Sequence, residues 1–277
     1  MAGRLAGTPV RDALDSALVA LTAAGVDSPR LDAELLLAHA LGVDRARLIV
    51  DRDLAVAGAA AREFQSLVRR RAIEREPVAY LLGRKGFRHI ELAVDARVLV
   101  PRPETELLVE AALGLPAGAR VVDVGTGSGA VALALADERP DLEVTATDVS
   151  ADALAVARAN AARLGLDVAF ACGDLFDGPF DAVLSNPPYV ADGDELPPDV
   201  ARHEPPGALF AGPDGLAVVR RLVDRIRAHA IPFAAIEVGM GQAPAVAALL
   251  EGYEVEVLRD LAGIERVVVA RTTGGSR

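Results

Sequence analysis

R-V-V-D-V-G-T-G-S-G, Arg120 to Gly129, joins a run of β-branched residues to three glycines set at every second position. Valine suits a strand buried on both faces, and glycines directly after it let the backbone turn sharply and approach a ligand closely. In an open α/β sheet such a turn lies at the carboxyl end of a strand, where these sheets bind ligands. The residues that follow read as a helix to about Asp137, and the alternation then repeats: V-T-A-T-D-V, a helix from Ser150 to about Leu164, V-A-F-A-C-G-D, and F-D-A-V-L-S-N. This is the pattern of a parallel sheet covered by helices. Further strands are expected at F-A-A-I-E-V-G, Y-E-V-E-V-L and E-R-V-V-V-A-R; the last two lie close enough for a hairpin with one reversed strand.

Upstream the texture is helical. In T-P-V-R-D-A-L-D-S-A-L-V-A-L, Thr8 is a cap and Pro9 a first helical residue, and Val10, Leu14, Ala17, Leu18 and Leu21 recur at helical spacing. S-P-R-L-D-A-E-L-L-L-A-H-A-L-G repeats that logic from Ser28 to Gly42, and a longer helix is expected over Ala59 to Arg75. Its cluster Arg69, Arg70, Arg71 and Arg75 reads as a solvated helix face, with an RNA or partner contact as the alternative. E-P-V-A-Y-L-L-G-R-K-G-F-R-H-I-E-L-A-V-D holds two strand-like runs around Gly83 to Gly86, the mark of a connecting hairpin. The expected organisation is therefore a helical domain over residues 1–75, a hairpin linker over 76–98 and a sheet domain over 99–277. Gly274 to Arg277 form a short Gly/Ser tail.

With 277 residues, 52% of them hydrophobic, the chain can build a sizeable core, yet no apolar segment approaches the ~20 residues that span a bilayer. A single cysteine, Cys172, forms no intramolecular disulfide and is expected to be a small buried residue, and the N-terminus lacks an apolar leader, so a cytosolic location is expected. Residues 1–76 hold 11 acidic and 11 basic side chains, which leaves the whole net charge of −11 on residues 77–277. An acidic domain lacks the positive field that supplies most non-specific nucleic-acid affinity. His39, His89, His203 and His229 have no metal-ligand spacing, and no metal role is expected.

The glycine spacing bears on the ligand. A dinucleotide fingerprint has G-x-G-x-x-G, whereas Gly125, Gly127 and Gly129 alternate with Thr126 and Ser128. Asp123, just before them, repels phosphates and suits a ligand that carries an ammonium and a sulfonium, as S-adenosylmethionine does. Asp148 ends the next strand, placed to accept hydrogen bonds from both ribose hydroxyls; the competing role of helix cap falls better to Ser150. Asp174, after the third strand, is placed to meet the adenine amino group or to cap its loop.

S-N-P-P-Y-V, Ser185 to Val190, follows the fourth strand. Each proline lacks a backbone N–H, so strand pairing ends and carbonyls are left free. Both this segment and the glycine loop face the crevice at the carboxyl ends of central strands. An amide or exocyclic amine nitrogen is a poor nucleophile because its lone pair is delocalised. The Asn186 side-chain oxygen and the Pro187 carbonyl are two acceptors that hold such an NH₂ group and stabilise the charge that develops as a methyl arrives. Pro188 shapes the turn, and Tyr189 packs against the flat group. Ala191 to Pro206 is too polar and proline-rich for core and reads as a mobile lid.

From about Leu31 to Arg271 the chain closely resembles the peptide chain release factor glutamine methyltransferases, the HemK family. The resemblance rests on E-P-V-A-Y-L-L-G (Glu76 to Gly83), V-P-R-P-E-T-E (Val100 to Glu106), D-V-G-T-G-S-G, S-N-P-P-Y, E-P-P-G-A-L-F-A-G-P-D-G-L (Glu204 to Leu216), I-E-V-G-M-G-Q (Ile236 to Gln242) and D-L-A-G-I-E-R (Asp260 to Arg266). It implies a Rossmann-like α/β sheet of the S-adenosylmethionine-dependent methyltransferases, with a small N-terminal helical bundle that helps to hold a release factor, the two joined by a β-hairpin. By the same resemblance Gly125, Thr126, Gly127, Ser128, Gly129, Asp148 and Asn186 touch the cofactor, and Asn186, Pro187, Pro188 and Tyr189 hold the glutamine of the Gly-Gly-Gln loop. Some relatives carry Trp where this chain has Leu175 beside Asp174, so stacking on adenine is weaker here or supplied elsewhere, for example by Phe176, which otherwise reads as core. Glu104 and Glu106 order the segment near the cofactor or serve as helix N-terminal carboxylates. The rival reading is a nucleic-acid amino-methyltransferase acting on adenine or guanine; the acidic domain and R-P-E-T-E argue against it.

Overall fold

A computed structural model describes residues 7–272; the Gly/Ser tail and Met1–Ala6 lie outside the described residues. Two compact units emerge: one runs to Gly83 and takes in Pro197–His203, the other holds Arg84–Leu196 and the chain from Glu204 onward. The helical unit therefore continues past the expected end at residue 75.

In the first unit β1 (Thr8–Pro9) pairs antiparallel with β2 (Ala55–Val56) beside α1 (Val10–Ala23), α2 (Pro29–Leu41), α3 (Arg45–Val50) and α4 (Gly58–Arg69). Val10, Leu14, Ala17 and Leu21 of α1 are buried at helical spacing, and Pro29 opens α2 where a missing N–H costs nothing. The last helix continues through a wider turn, Arg70–Glu74, of i to i+5 type. Here the arginine cluster departs from a solvated face. Arg71 is buried and holds Asp32 at 2.8 Å and Asp199 at 3.3 Å, Arg75 also faces Asp199, and Arg70 binds Glu76; of the four only Arg69 stays exposed. The widened turn rotates Arg71 inward, and the carboxylates that meet it are distant in sequence, so local charge patterning does not show them. Asp199 belongs to α9 (Pro198–His203), which lies in the segment expected to be a lid and is folded into this unit, with the His203 ring 2.7 Å from the Glu74 carbonyl.

E-P-V-A-Y-L-L-G is a helix rather than a strand: α5 (Val78–Leu82) starts after Pro77 and stops at Gly83, φ +69°. Five apolar residues are too few for periodicity to separate the two. The hairpin comes next, β3 (Arg84–Phe87) against β4 (Ile90–Ala93), so its turn lies at Arg88–His89 and not around Gly83 to Gly86.

Beyond the hairpin and α6 (Glu106–Ala112), the second unit contains β5 (Arg120–Val124), α7 (Ala130–Glu138), β6 (Glu143–Asp148), α8 (Ala151–Leu164), β7 (Ala169–Cys172) and β8 (Ala182–Ser185). It is completed by α10 (Ala217–Ala228), β9 (Phe233–Glu237), α11 (Ala243–Leu249), β10 (Tyr253–Arg259) and β11 (Glu265–Thr272). The seven strands run in the order β10-β11-β9-β8-β5-β6-β7. Pairing is parallel from β9 to β7, and β11 is antiparallel to both its neighbours, which is the reversed strand the sequence suggests. Val122, Val183, Ile236 and Val268 from four adjacent strands join Val219, Leu222 and Ile226 of α10 in one core cluster. Strand order reverses between β5 and β8, and a crevice opens at such a switch point. Cys172 departs from expectation. It ends the edge strand β7 and is exposed, because no further strand covers it.

Candidate active site

The loop after β5 is shaped by its glycines. Gly125, Gly127 and Gly129 have φ of +74°, +56° and +86°, and a Cβ on Gly129 would stand 2.8 Å from Leu133 Cδ1, so a larger residue collides with α7. The N–H groups of Gly125 and Thr126 both donate to the Thr147 carbonyl of β6. Asp148 receives the Gly127 N–H at 2.9 Å on one carboxylate oxygen and the Ser150 N–H at 2.8 Å on the other. Ser150 is the cap of α8, accepting from the Ala153 N–H. Asp123 differs from the sequence expectation: it is buried, and its Oδ2 accepts from the Thr126 hydroxyl at 2.6 Å and the Ala132 N–H at 3.2 Å. Burial pushes its carboxyl up to about 7 against those hydrogen bonds, so it braces the loop from within rather than facing a ligand. Ser128 is also buried, its carbonyl held by Asn160.

Opposite this loop, β8 ends at Ser185, whose hydroxyl donates to the Val124 carbonyl at 2.8 Å and ties the two strand ends together. The next residue brings the two motifs close: a Cβ placed on Gly125 would be 4.0 Å from the Asn186 carbonyl oxygen. The half-buried Asn186 side chain donates its Nδ2 to the Thr105 hydroxyl at 3.1 Å, and Oδ1 has no partner among the described residues. Pro187 is buried and Pro188 and Tyr189 are half-buried. The phenol of Tyr189 is pushed up to about 12, first by burial and then by the Glu237 charge, so it stays neutral and is no base.

Several residues that support this segment carried no assigned role in the sequence reading. The Gln242 amide accepts the Gly239 N–H at 3.0 Å and donates to the Tyr189 carbonyl at 2.9 Å. Gly215, φ +70°, lies so close that an added Cβ would be 2.2 Å from the same carbonyl. Tyr189, Glu195, Met240 and Gln242 are among the residues that line a cavity of about 340 Å³ beside the turn. Glu237, at the end of β9, is buried, with Oε2 unpartnered, and burial pushes its carboxyl up to about 7. Their shared signal is the quoted I-E-V-G-M-G-Q and G-P-D-G-L stretches, which carry no chemistry until the fold brings them under Asn186-Pro-Pro-Tyr. Glu204, inside the expected lid, is buried too: it accepts the Val100 N–H at 3.2 Å and pairs with Arg102. Glu106 accepts the Arg88 N–H of the hairpin turn.

At the third-strand loop, Asp174 is exposed and paired with Arg221 of α10. Leu175 adopts φ +62° and packs partly on the core, and Phe176 is a core residue against Phe180 and His229.

Two family models match the chain: "PrmC N-terminal domain" over residues 12–83 and "Methyltransferase small domain" over residues 103–202. A release factor glutamine methyltransferase of Deinococcus radiodurans is 45% identical over 96% of this chain and 99% of its own length. One from Mycolicibacterium smegmatis is 48% identical over 78% and 79%. Among solved structures, the hMettl16 catalytic domain in complex with a 3'UTR hairpin aligns over 78% of this chain and 82% of its own, with a TM-score of 0.52 and 14% identity, a likeness of fold alone.

Proposed function

The chain belongs to the release factor glutamine methyltransferase family, and on that premise we propose that it methylates the side-chain amide nitrogen of the glutamine in the Gly-Gly-Gln loop of peptide chain release factors, with S-adenosylmethionine as donor. The observation that carries this reading is the approach of Asn186 to the glycine loop, which sets two amide acceptors beside a ligand crevice. The donor chemistry of the crevice fits the cofactor. Asp148 uses two of the roughly four acceptor sites of a carboxylate on backbone N–H groups, which leaves two for ribose hydroxyls. Bound there, S-adenosylmethionine supplies a methyl group on a positively charged sulfur.

The chain's own part is positioning. Gly125 to Gly129, with Thr126 and Ser128, shape the backbone that wraps the ligand, and Leu175 lies beside the adenine. Asp174 meets the adenine amino group by exchanging Arg221 for it. Asn186 Oδ1 and the Pro187 carbonyl accept the two N–H bonds of the glutamine amide, turning its lone pair toward the methyl and stabilising the developing positive charge. Pro188 and Tyr189 confine the amide plane. The methylated nitrogen is acidic enough to lose its proton to water, so a strong base is not required. The helical unit supplies remote contact with the release factor, whose binding energy serves to position a weak nucleophile.

A cytosolic setting belongs to this reading, and no helix among the described residues is long and apolar enough to cross a membrane. Nucleic acid is not an expected substrate, given the net charge of −11 and relatives named for release factor glutamine. Mass spectrometry of purified release factor incubated with the protein and labelled S-adenosylmethionine tests the reading: one added methyl on the glutamine of the loop is expected. An unmodified release factor, with label passing instead to RNA or DNA, overturns it.

A further inference from the structure

We propose that Gln242 is a positioning residue for methyl transfer: its amide pins the Tyr189 carbonyl and so fixes the far end of the turn that presents the Asn186 and Pro187 acceptors. The proposal rests on the reading of Asn186-Pro-Pro-Tyr as the amide clamp.

A turn built on two prolines cannot tie itself. Pro187 and Pro188 have no N–H to donate, and the Pro187 carbonyl must stay free if it is to accept from the substrate. The segment is therefore held from outside, at its two ends. In front, the Ser185 hydroxyl donates to the Val124 carbonyl at 2.8 Å. Behind, the Val190 N–H donates to the Leu209 carbonyl at 2.9 Å, and Gln242 Nε2 donates to the Tyr189 carbonyl, also at 2.9 Å. Each proline locks its own φ at about −65°, so between two fixed ends few torsions remain by which the acceptors can drift.

Backbone groups alone set the direction of the Gln242 amide. Oε1 accepts the Gly239 N–H at 3.0 Å, whereas Nε2 faces two carbonyls, Tyr189 at 2.9 Å and Asp214 at 3.5 Å. Backbone donors and acceptors do not exchange roles, so a flipped amide would set NH₂ against N–H and oxygen against oxygen. The residue itself is anchored as the N-cap of α11, with its own N–H donated to the Gly239 carbonyl at 3.1 Å.

The two glycines beside the amide bear this out. A Cβ on Gly215 would stand 2.8 Å from Gln242 Nε2 as well as 2.2 Å from the Tyr189 carbonyl oxygen. One on Gly239 would be 3.0 Å from Gln242 Oε1 and 3.2 Å from Tyr189 Cδ2. Gly239 is not among the left-handed glycines, so its backbone does not call for this residue; the missing Cβ makes room for the amide and the tyrosine ring. Two separate loops thus reserve space for one side-chain contact, at the back of the clamp.

The test measures methylation of intact release factor by the wild type, Gln242→Met and Gln242→Glu, with kcat and KM separated and S-adenosylmethionine titration as the check on folding. Gln242→Met keeps the length of the side chain and loses both hydrogen bonds. Gln242→Glu keeps an acceptor for Gly239 but turns a carboxylate oxygen toward two carbonyls, so it pushes the turn away instead of merely releasing it. In both, kcat is expected to fall by about tenfold to 100-fold, since misplacing a reacting group by about 1 Å costs rate of that order. The larger loss falls to Gln242→Glu. KM for release factor and cofactor affinity change little, because contacts remote from the turn carry them. A residue that only ties two loops together would lower stability and leave kcat of the folded enzyme intact. A folded Gln242→Met enzyme with kcat within about twofold of the wild type, or a loss confined to KM or cofactor affinity, overturns the proposal. If one variant fails to fold, the other decides; failure of both makes the contact structural and likewise overturns it. A wild type that leaves release factor unmethylated refutes the functional reading itself, whereas an active wild type with indifferent variants refutes only the role of Gln242.

Discussion

Replacing Asn186 by alanine separates chemistry from folding. The side chain is half-buried and makes one hydrogen bond, to Thr105 at 3.1 Å, so its removal costs about 1 kcal/mol of stability and leaves the sheet intact. The effect on turnover is larger. Oδ1 is one of two acceptors offered to the reacting nitrogen, and loss of one preorganised contact at a developing charge costs ~10²–10³ in rate, about 2.7–4 kcal/mol. Single-turnover methylation of release factor, with both substrates saturating and the product counted by label, reads the chemical step directly. Asn186→Asp sharpens the comparison, since it keeps acceptors of similar shape but adds a charge that holds the positively charged sulfonium too tightly in the ground state. Turnover of the alanine variant within about threefold of the wild type would remove Asn186 from the mechanism, because no single hydrogen bond to the reacting atom is worth so little.

Asp148→Ala is expected to weaken S-adenosylmethionine binding by about tenfold or more while turnover at saturating cofactor falls far less, since ribose contacts hold ground and transition states alike; equal losses in both would contradict the role. Arg71→Ala leaves Asp32 buried without its partner and should destabilise the helical unit by ~3–5 kcal/mol in denaturant titration, whereas Arg71→Met with Asp32→Leu recovers much of it; a loss under ~1 kcal/mol for the single variant would show that the pair is not effectively buried. Glu237 ionises near 4.5 when exposed and at about 7 in the fold, so the folded state keeps its proton longer and loses stability as pH rises through that window. Glu237→Gln should therefore melt above the wild type at pH 8, by a margin that shrinks toward pH 4.5; a margin independent of pH would refute the shifted carboxyl.

Legibility followed the range of the interactions. The strand-loop-helix alternation from Arg120 onward was readable because each strand is a short run of apolar or β-branched residues bounded by loop and helix patterns, and even the reversal of β11 follows from its closeness to β10. What failed to read depends on partners far away. The arginines of 69–75 look like a surface until Asp32 and Asp199 are brought to them, and Glu204 looks like lid until Val100 and Arg102 meet it. Asp123 seemed aimed at the ligand because spacing shows that a residue borders a loop, not which way its side chain turns. For the same reason Asn186 was visible as a clamp from its prolines, whereas Thr105, which accepts from its amide nitrogen from 81 residues upstream, was not.

β11 lies between β9 and β10 although it follows both in the chain. A polypeptide leaves the ribosome amino end first, so the strand that carries Glu237 remains an open edge until Glu265–Thr272 have emerged. Until then F-A-A-I-E offers unpaired backbone and apolar side chains to any neighbouring strand, a hazard for association between nascent copies. The insertion that removes the hazard also sets Val267 against Glu237 and completes the ground beneath the clamp. A chain stopped before Glu265 is thus expected to be both inactive and adhesive, so that competence arrives in one late step rather than by degrees.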